Sequence, residues 1–245
     1  MKEDLNAYQA AYTEQFPYHW DEELLLAAYA RKIVERLGGQ VSLRLLSLGI
    51  GGQRVSQTIR DRLDLAEYHI LEGSMDIIER YRAETEPSPN VVIHHIWFEE
   101  ADFGQVFDAI EMGFVLEHVD DPGLILRRFR DFLKPDGVLF VSVPNARSLH
   151  RLLGHAAGFL QDPYALSRYD LELGHKRYFD SESIAELVRA SGYTLLDKFG
   201  LVLKPLTTAQ LQQLALGECI ERALIDVGYD HPDIANGILL VARPA

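Results

Sequence analysis

Cysteine is almost missing: Cys219 is the only one in 245 residues. A lone thiol excludes an intrachain disulfide and a thiolate metal cage. Its neighbours Glu218, Ile220 and Glu221 predict a helix, with the thiol buried or half-buried. Positive charge is scarce too. Against 37 Asp and Glu stand 24 Lys and Arg, a net charge of -13. That balance excludes binding driven by nucleic-acid phosphates, which needs clustered cations, and disfavours an anionic membrane surface. The densest basic cluster, Arg127, Arg128 and Arg130, lies among Asp120, Asp121 and Asp131 and reads as a solvated helix face. No apolar run approaches the ~20 residues of a membrane span, and Met1-Lys2-Glu3-Asp4 contains no apolar signal segment. These absences predict a cytoplasmic protein with no nucleic-acid or membrane partner; a monomer or homodimer is expected.

What is present suits one sizeable core, since 47% of the residues are hydrophobic. Apolar residues at helical spacing predict helices over 5–15 and 21–37, the second stopped by Gly38-Gly39. The rhythm then changes. Short apolar runs at 43–48, 68–71, 91–93, 107–112 and 138–143 read as strands. Helical patterns at 53–63, from Ser74 to near Pro87, and at 123–133 separate them, and Lys134-Pro135-Asp136-Gly137 reads as a turn into the fifth strand. Such alternation signals a parallel sheet covered on both faces, with ligands at the carboxyl ends of the strands. Asp180 caps a helix over 182–191, ended by Gly192, and strands at 194–203 and 238–242 flank a helix at 207–228. One domain results: an N-terminal helical cap (1–40), a cofactor-binding core (41–143), a substrate-covering insertion (144–180) and C-terminal helices and strands (181–245).

Leu48-Gly49-Ile50-Gly51-Gly52-Gln53 joins a strand to a helix through glycines, which let a ligand approach the backbone. Glu72 ends the second strand, where a carboxylate accepts both ribose hydroxyls of a nucleoside. A dinucleotide site wants a third glycine where Arg54 stands, which disfavours a nicotinamide enzyme. S-adenosylmethionine has no pyrophosphate to cradle and tolerates that residue.

Further motifs follow in order: Val115-Leu116-Glu117-His118-Val119-Asp120-Asp121-Pro122, Leu133-Lys134-Pro135-Asp136-Gly137, Val143-Pro144-Asn145, and Gly174-His175-Lys176-Arg177-Tyr178-Phe179. Over residues 43–203 the chain resembles the class I S-adenosylmethionine-dependent methyltransferases, in particular bacterial small-molecule enzymes with a V-L-E-H-V-x-D-P motif. The resemblance implies an α/β fold with a Rossmann-like seven-stranded sheet. That sheet is mostly parallel with an antiparallel last strand, carries helices on both faces, and has a lid insertion after strand five. It implies S-adenosyl-L-methionine as cofactor, with S-adenosyl-L-homocysteine as product. By that likeness Gly49, Ile50, Gly51, Gly52 and Gln53 approach its methionine part. Glu72 holds the ribose, with Gly73 and Ser74 beside the adenosine; Trp97 and Phe98 lie against adenine, and Met112, Gly113 and Phe114 form the floor. Two departures stand out. Ser47 replaces a usual acid, and Trp97 stands where an acid often binds adenine, leaving Glu99 or Glu100 to take that role.

The acceptor must be aligned, shielded from water and, where required, deprotonated. His118, just past strand four, is either a base or a loop lock. His175, Arg177 and Tyr178 come from the insertion and supply an imidazole and a guanidinium for a polar substrate. Asn145 either bonds the substrate or caps the next helix. Tyr18 and His19, within Phe16-Pro17-Tyr18-His19-Trp20, are expected to close over the cofactor. His150, His155 and His94-His95 read as structural, and Lys204-Pro205 as either a pocket rim or a surface turn. No metal is expected, because Phe114 replaces the first Glu of the E-x-x-E-H site found in quinone-type relatives. The expected activity is methyl transfer to an O or N atom of a small polar metabolite, a sugar or specialised-metabolite intermediate. The alternative is a catalytically silent cofactor-binding relative.

Overall fold

The computed structural model describes residues 5, 6, 13 and 15–245; the helix expected over 5–15 falls largely outside them. Strands β1 (Leu43–Leu48), β2 (Leu65–Glu72), β3 (Val91–His95), β4 (Phe107–Gly113), β5 (Leu133–Pro144), β6 (Tyr193–Leu201) and β7 (Gly237–Pro244) form one sheet, ordered β3-β2-β1-β4-β5-β7-β6. The first six run parallel. β7 lies between β5 and β6 and runs against both. The seven-stranded sheet with an antiparallel last strand is therefore as expected.

Side chains alternate across the sheet, and the alternation sorts the core into two layers. Leu46, Ile110, Met112, Leu139, Val141 and Leu240 face α4 (Pro122–Arg130) and α7 (Ser181–Ala190). Leu45, Tyr68, Ile70, Ala109, Phe140 and Val241 face α1 (His19–Leu37), α2 (Arg54–Arg62), α3 (Met75–Glu84) and α9 (Glu218–Tyr229). Local signals fix the helix starts. Ser74 Oγ accepts the Ile77 N–H at 3.3 Å, Asp121 caps α4 ahead of Pro122, and Asp180 and Ser183 form a capping box on α7. Two short helices, α5 (Leu149–Ala156) and α6 (Arg168–Glu172), make up the insertion, and α8 (Thr208–Leu214) follows β6.

Several boundaries differ from expectation. The turn at 134–137 is a bulge inside a longer β5: between the paired residues Phe107↔Leu133 and Ala109↔Val138, β5 advances five positions while β4 advances two. The helix expected at 207–228 is broken in two, because Ala215 (φ 46°) and Gly217 (φ 77°) take left-handed backbone that no α-helix continues. The break also puts Cys219 in the first turn of α9, where it is exposed rather than buried. Arg128 is not simply solvated: its Nε donates to the Ala101 carbonyl at 3.0 Å. No helix of the described residues is long and apolar enough to cross a membrane.

Helix α9 approaches β6 through facing glycines. A Cβ on Gly200 would strike the Gly228 carbonyl oxygen and the Ala235 methyl, and neither is the end of a flexible side chain. Gly200→Ala is expected to cost about 1–3 kcal/mol through overpacking. A lower urea midpoint with an unchanged m-value is the readout, and an unchanged midpoint would refute the close approach.

Candidate active site

Chain direction concentrates the loops of interest at one end of the sheet. From β1 the crossovers run outward to β2 and β3 and then return to β4 on the other side, so the loops after β1 and β4 diverge. Such a divergence opens a crevice at the strands' carboxyl ends. A cavity of about 530 Å³ occupies it, within the ordinary range for a small-molecule site.

The half beneath β1, β2 and β4 is shaped by backbone. Gly49 holds φ +86°, and a Cβ there would meet no protein atom within 4 Å, so it would project into the cavity. Gln53 (φ 69°) and Phe114 (φ 58°) also line the cavity in left-handed backbone despite having side chains, a conformation that costs on the order of 1–2 kcal/mol each. Glu72 is buried. Its Oε2 accepts the Ile50 N–H at 3.0 Å and its Oε1 accepts the Ser74 N–H at 2.8 Å. Burial pushes the Glu72 carboxyl up, and these backbone donors oppose the shift. Each carboxylate oxygen keeps accepting capacity for a ligand hydroxyl.

The expected cofactor residues separate into two groups. Gly49, Ile50, Gly51, Gly52, Gln53, Glu72, Ser74, Phe98, Gly113, Phe114 and Tyr18 line the cavity. Gly73, Trp97, Met112 and His19 do not. Met112 was expected on the floor, but strand alternation turns its side chain into the opposite core layer, and Glu111 and Gly113 reach the cavity instead. Trp97 is half-buried ahead of the 3₁₀ turn Phe98–Glu100, and Glu99 and Glu100 are exposed outside the cavity. The Gly73 carbonyl lies 3.1 Å from His95 Nε2, while His94 Nε2 lies 3.0 Å from His69 Nδ1, so both histidines of β3 serve structure. His19 begins α1.

The other half is built from side chains. His118, His175, Tyr178 and Asn145 line it. Arg177 does not: its Nη2 donates to the exposed Asp120 carbonyl at 3.1 Å, which holds the guanidinium at the surface. Asn145 is committed to structure, with Nδ2 donating to Ala235 O at 2.9 Å and Oδ1 accepting the Arg147 N–H at 2.9 Å. The His118 ring is held by the backbone of Gly174 and Leu173; burial first, and the nearby His175 second, push its pKa down to about 3. At neutral pH the His118 ring is therefore uncharged. His175 packs edge-on to it with ring centroids 4.8 Å apart, and its Nδ1 lies 3.5 Å from Asp170 Oδ1, beyond good hydrogen-bonding distance. Tyr178 donates to Asp170 at 2.9 Å and accepts from Arg151 at 3.1 Å. Burial raises the Asp170 pKa, but the His175, Ser167 and Tyr178 side chains outweigh it and bring the carboxyl down to about 2.

Other wall residues carried no periodic or motif signal. Asp21 from α1 pairs with Lys204 beyond β6, both buried, and Thr208 Oγ1 completes the group at 2.9 Å from Lys204 Nζ. His150, which the sequence suggests is structural, faces the cavity; burial and then Lys204 push its pKa down to about 3. Unpartnered buried polar atoms collect here: Asp21 Oδ1, Ser148 Oγ, His150 Nδ1, His175 Nδ1 and both Glu117 oxygens. Glu117, His118 and His175 each offer a ligand atom within 4.8 Å of the others, a set that could hold a metal ion. His175 supplies in space what Phe114 withholds in sequence.

Burial pushes the Glu117 carboxyl up to about 7 from its ordinary 4.5, despite His175 nearby. An acid whose pKa is higher folded than unfolded supports the fold below its unfolded value. That support is lost as pH rises through the folded one. Glu117→Gln should therefore gain stability over the parent between pH 5 and pH 8, by on the order of 2–3 kcal/mol. Urea midpoints at the two pH values measure this, and a pH-independent difference would refute it.

Residues 20–198 match a family model described as a methyltransferase domain. The ubiquinone biosynthesis O-methyltransferase of Aeromonas salmonicida (strain A449) is 24% identical over 204 residues, covering 77% of each chain. An S-adenosylmethionine-dependent methyltransferase from Mesorhizobium loti superposes with a TM-score of 0.59 at 17% identity, covering 89% of this chain and 99% of that one. The Burkholderia thailandensis 1,6-didemethyltoxoflavin-N1-methyltransferase, solved with 1,6-didemethyltoxoflavin and S-adenosylhomocysteine bound, gives a TM-score of 0.61 at 16% identity, covering 98% of this chain and 86% of that one. With its parallel sheet, antiparallel last strand and glycine turn at the switch point, the chain belongs to the class I S-adenosylmethionine-dependent methyltransferases.

Proposed function

We propose that the protein transfers the methyl group of S-adenosylmethionine to an oxygen or nitrogen of a small polar metabolite. The observation that carries this reading is Glu72, a buried carboxylate facing the cavity and fixed by the backbone on both sides of the β1 turn and α3. A carboxylate so held is preorganised to accept the two hydroxyls of a ribose. The space left beside Gly49 suits a ligand lying against backbone. When bound, the sulfonium cofactor supplies an activated methyl group, so the protein's task is alignment, exclusion of water and handling of the acceptor's proton.

The second half of the cavity supports a polar acceptor. His175 stands between Asp170 and Glu117, and with Nδ1 unpartnered it is the group placed to take a proton from the acceptor. The two carboxylates stabilise the imidazolium that results. Tyr178 and Arg151 hold Asp170 in place. His118 orients the loop, and Asp21, Lys204, Ser148 and His150 offer donors and acceptors to substrate hydroxyls. Such a wall suits a sugar or a similarly hydroxylated intermediate. Oxygen methylation is also what the ubiquinone-pathway relative is named for.

Titration calorimetry with S-adenosylhomocysteine tests the cofactor half. The parent protein is expected to bind, and Glu72→Ala should weaken binding roughly 10- to 100-fold through lost hydrogen bonds to a charged group. Its melting temperature, measured alongside, separates lost contacts from lost fold. Unchanged affinity in the variant would end the reading. Cofactor binding without transfer of labelled methyl to any metabolite pool would instead favour a catalytically silent relative.

A further inference from the structure

The two pairings of β1 meet different chemistry at the cavity. On one side β1 leads through β2 to Glu72; on the other, Ser47 stands directly opposite Glu111 of β4. Strand alternation puts Ser47, Glu111 and Gly113 on the face covered by α1, at the level where the sheet meets the cavity. Glu111 is 4% exposed and belongs to the cavity wall. Tyr29 of α1 donates to its Oε2 at 3.1 Å, and the Gly113 N–H donates to the same oxygen at 3.0 Å. Ser47 lies beside the carboxyl, its Oγ 2.7 Å from the Tyr68 hydroxyl. These neighbours are phenols, a hydroxyl and a backbone amide, and no hydrogen bond or ion pair within the described residues brings a cation to Glu111.

A buried carboxylate held by neutral donors at a ligand cavity is incomplete without a positive charge. Burial pushes the Glu111 carboxyl up to about 7, the response of an acid that lacks a counter-charge. We infer that Glu111 receives the α-ammonium group of the cofactor's amino-acid end, supplying from β4 the carboxylate that Ser47 withholds on β1. The inference rests on the cofactor reading above and adds to it the residue that recognises the charged tail. Geometry agrees: Glu72 and Glu111 lie on strands two spacings apart with the Gly49 turn between them, ~10 Å, a span that suits the chain from ribose to ammonium. Glu111 is a binding residue for the tail and takes no part in moving protons at the acceptor.

Calorimetry on the full chain with three nucleosides tests this. S-adenosylhomocysteine carries the whole tail, its decarboxylated analogue keeps the amine, and 5′-methylthioadenosine has neither. On the parent protein both amine-bearing ligands should bind about tenfold or more tightly than methylthioadenosine. Glu111→Gln mimics the protonated acid in shape and should lower affinity for the two amine ligands about 10- to 100-fold. Its affinity for methylthioadenosine should stay within twofold. Ser47→Asp combined with Glu111→Gln should restore part of the preference. Equal losses for all three ligands, or none, overturn the inference, as does a parent protein that binds methylthioadenosine as tightly as the decarboxylated amine; that last comparison needs no variant. A parent protein that binds none of the three overturns the cofactor reading itself, which separates the two failures.

Discussion

Two backbone N–H groups meeting one carboxylate hold the cofactor half together. Ile50 comes from the turn after β1 and Ser74 from the start of α3, and both donate to Glu72 at the end of β2. Without that carboxylate the two loops would have no common partner, and the N–H groups would face the cavity unpaired at a cost of about 1–3 kcal/mol each. With it, the loops form one rigid wall. The charge, buried and met chiefly by backbone dipoles, stays costly until a ligand shares it. The same group thus organises the protein around the cavity and leaves it short of a hydrogen-bond donor.

The acceptor half follows another rule. Its polar groups come from segments far apart in sequence: Asp21 from α1, Glu117 after β4, His150 and Arg151 from α5, Asp170 and His175 from the insertion, and Lys204 after β6. Arg151 draws the insertion together, donating to Pro163 O, Ala165 O and Tyr178 Oη. Lys176 N–H donates to Glu117 O and ties the insertion to the β4 loop. The N-terminal rings join on the other side, with Tyr18 edge-on to both Phe16 and Tyr169 and its hydroxyl 3.2 Å from Ser167 Oγ. While the apolar core closes almost without unpaired atoms, several of the buried polar orphans border this space. A fold tolerates such groups where a ligand completes them.

Legibility in the sequence tracked the physics of each signal. Strands such as 43–48 and 107–112 were readable because a parallel sheet buried on both faces demands continuous apolar runs. Glycine turns and helix caps were readable because they depend on one to four neighbouring residues. Long-range polar pairing was not. Asp21 and Lys204 are 183 positions apart, and nothing local marks either as buried. Met112 shows a subtler failure. It sits in the strand expected to floor the site, yet period-two alternation directs it away from the cavity and its neighbours Glu111 and Gly113 toward it. The motif located the segment, and only register could assign the side chain. The break at 215–217 has one local marker, Gly217, while Ala215 gives no hint of left-handed backbone.

This division also bears on what relatives can teach. The half of the cavity beneath β1, β2 and β4 depends on main-chain conformation at Gly49, Gln53 and Phe114 and on carboxylates delivered by strand ends, features set by the sheet itself. Contacts made by backbone survive extensive change of side chains, so low identity is compatible with a shared nucleoside site. The acceptor half depends on side chains that the topology does not dictate, delivered by an insertion and by helices outside the sheet. On the reading proposed above, a substitution at Ser148 or His150 would change which hydroxyls the wall meets without touching the sheet. The insertion, α1 and the segment after β6 all border the same cavity, and the buried Asp21–Lys204 pair is the point at which the last two meet.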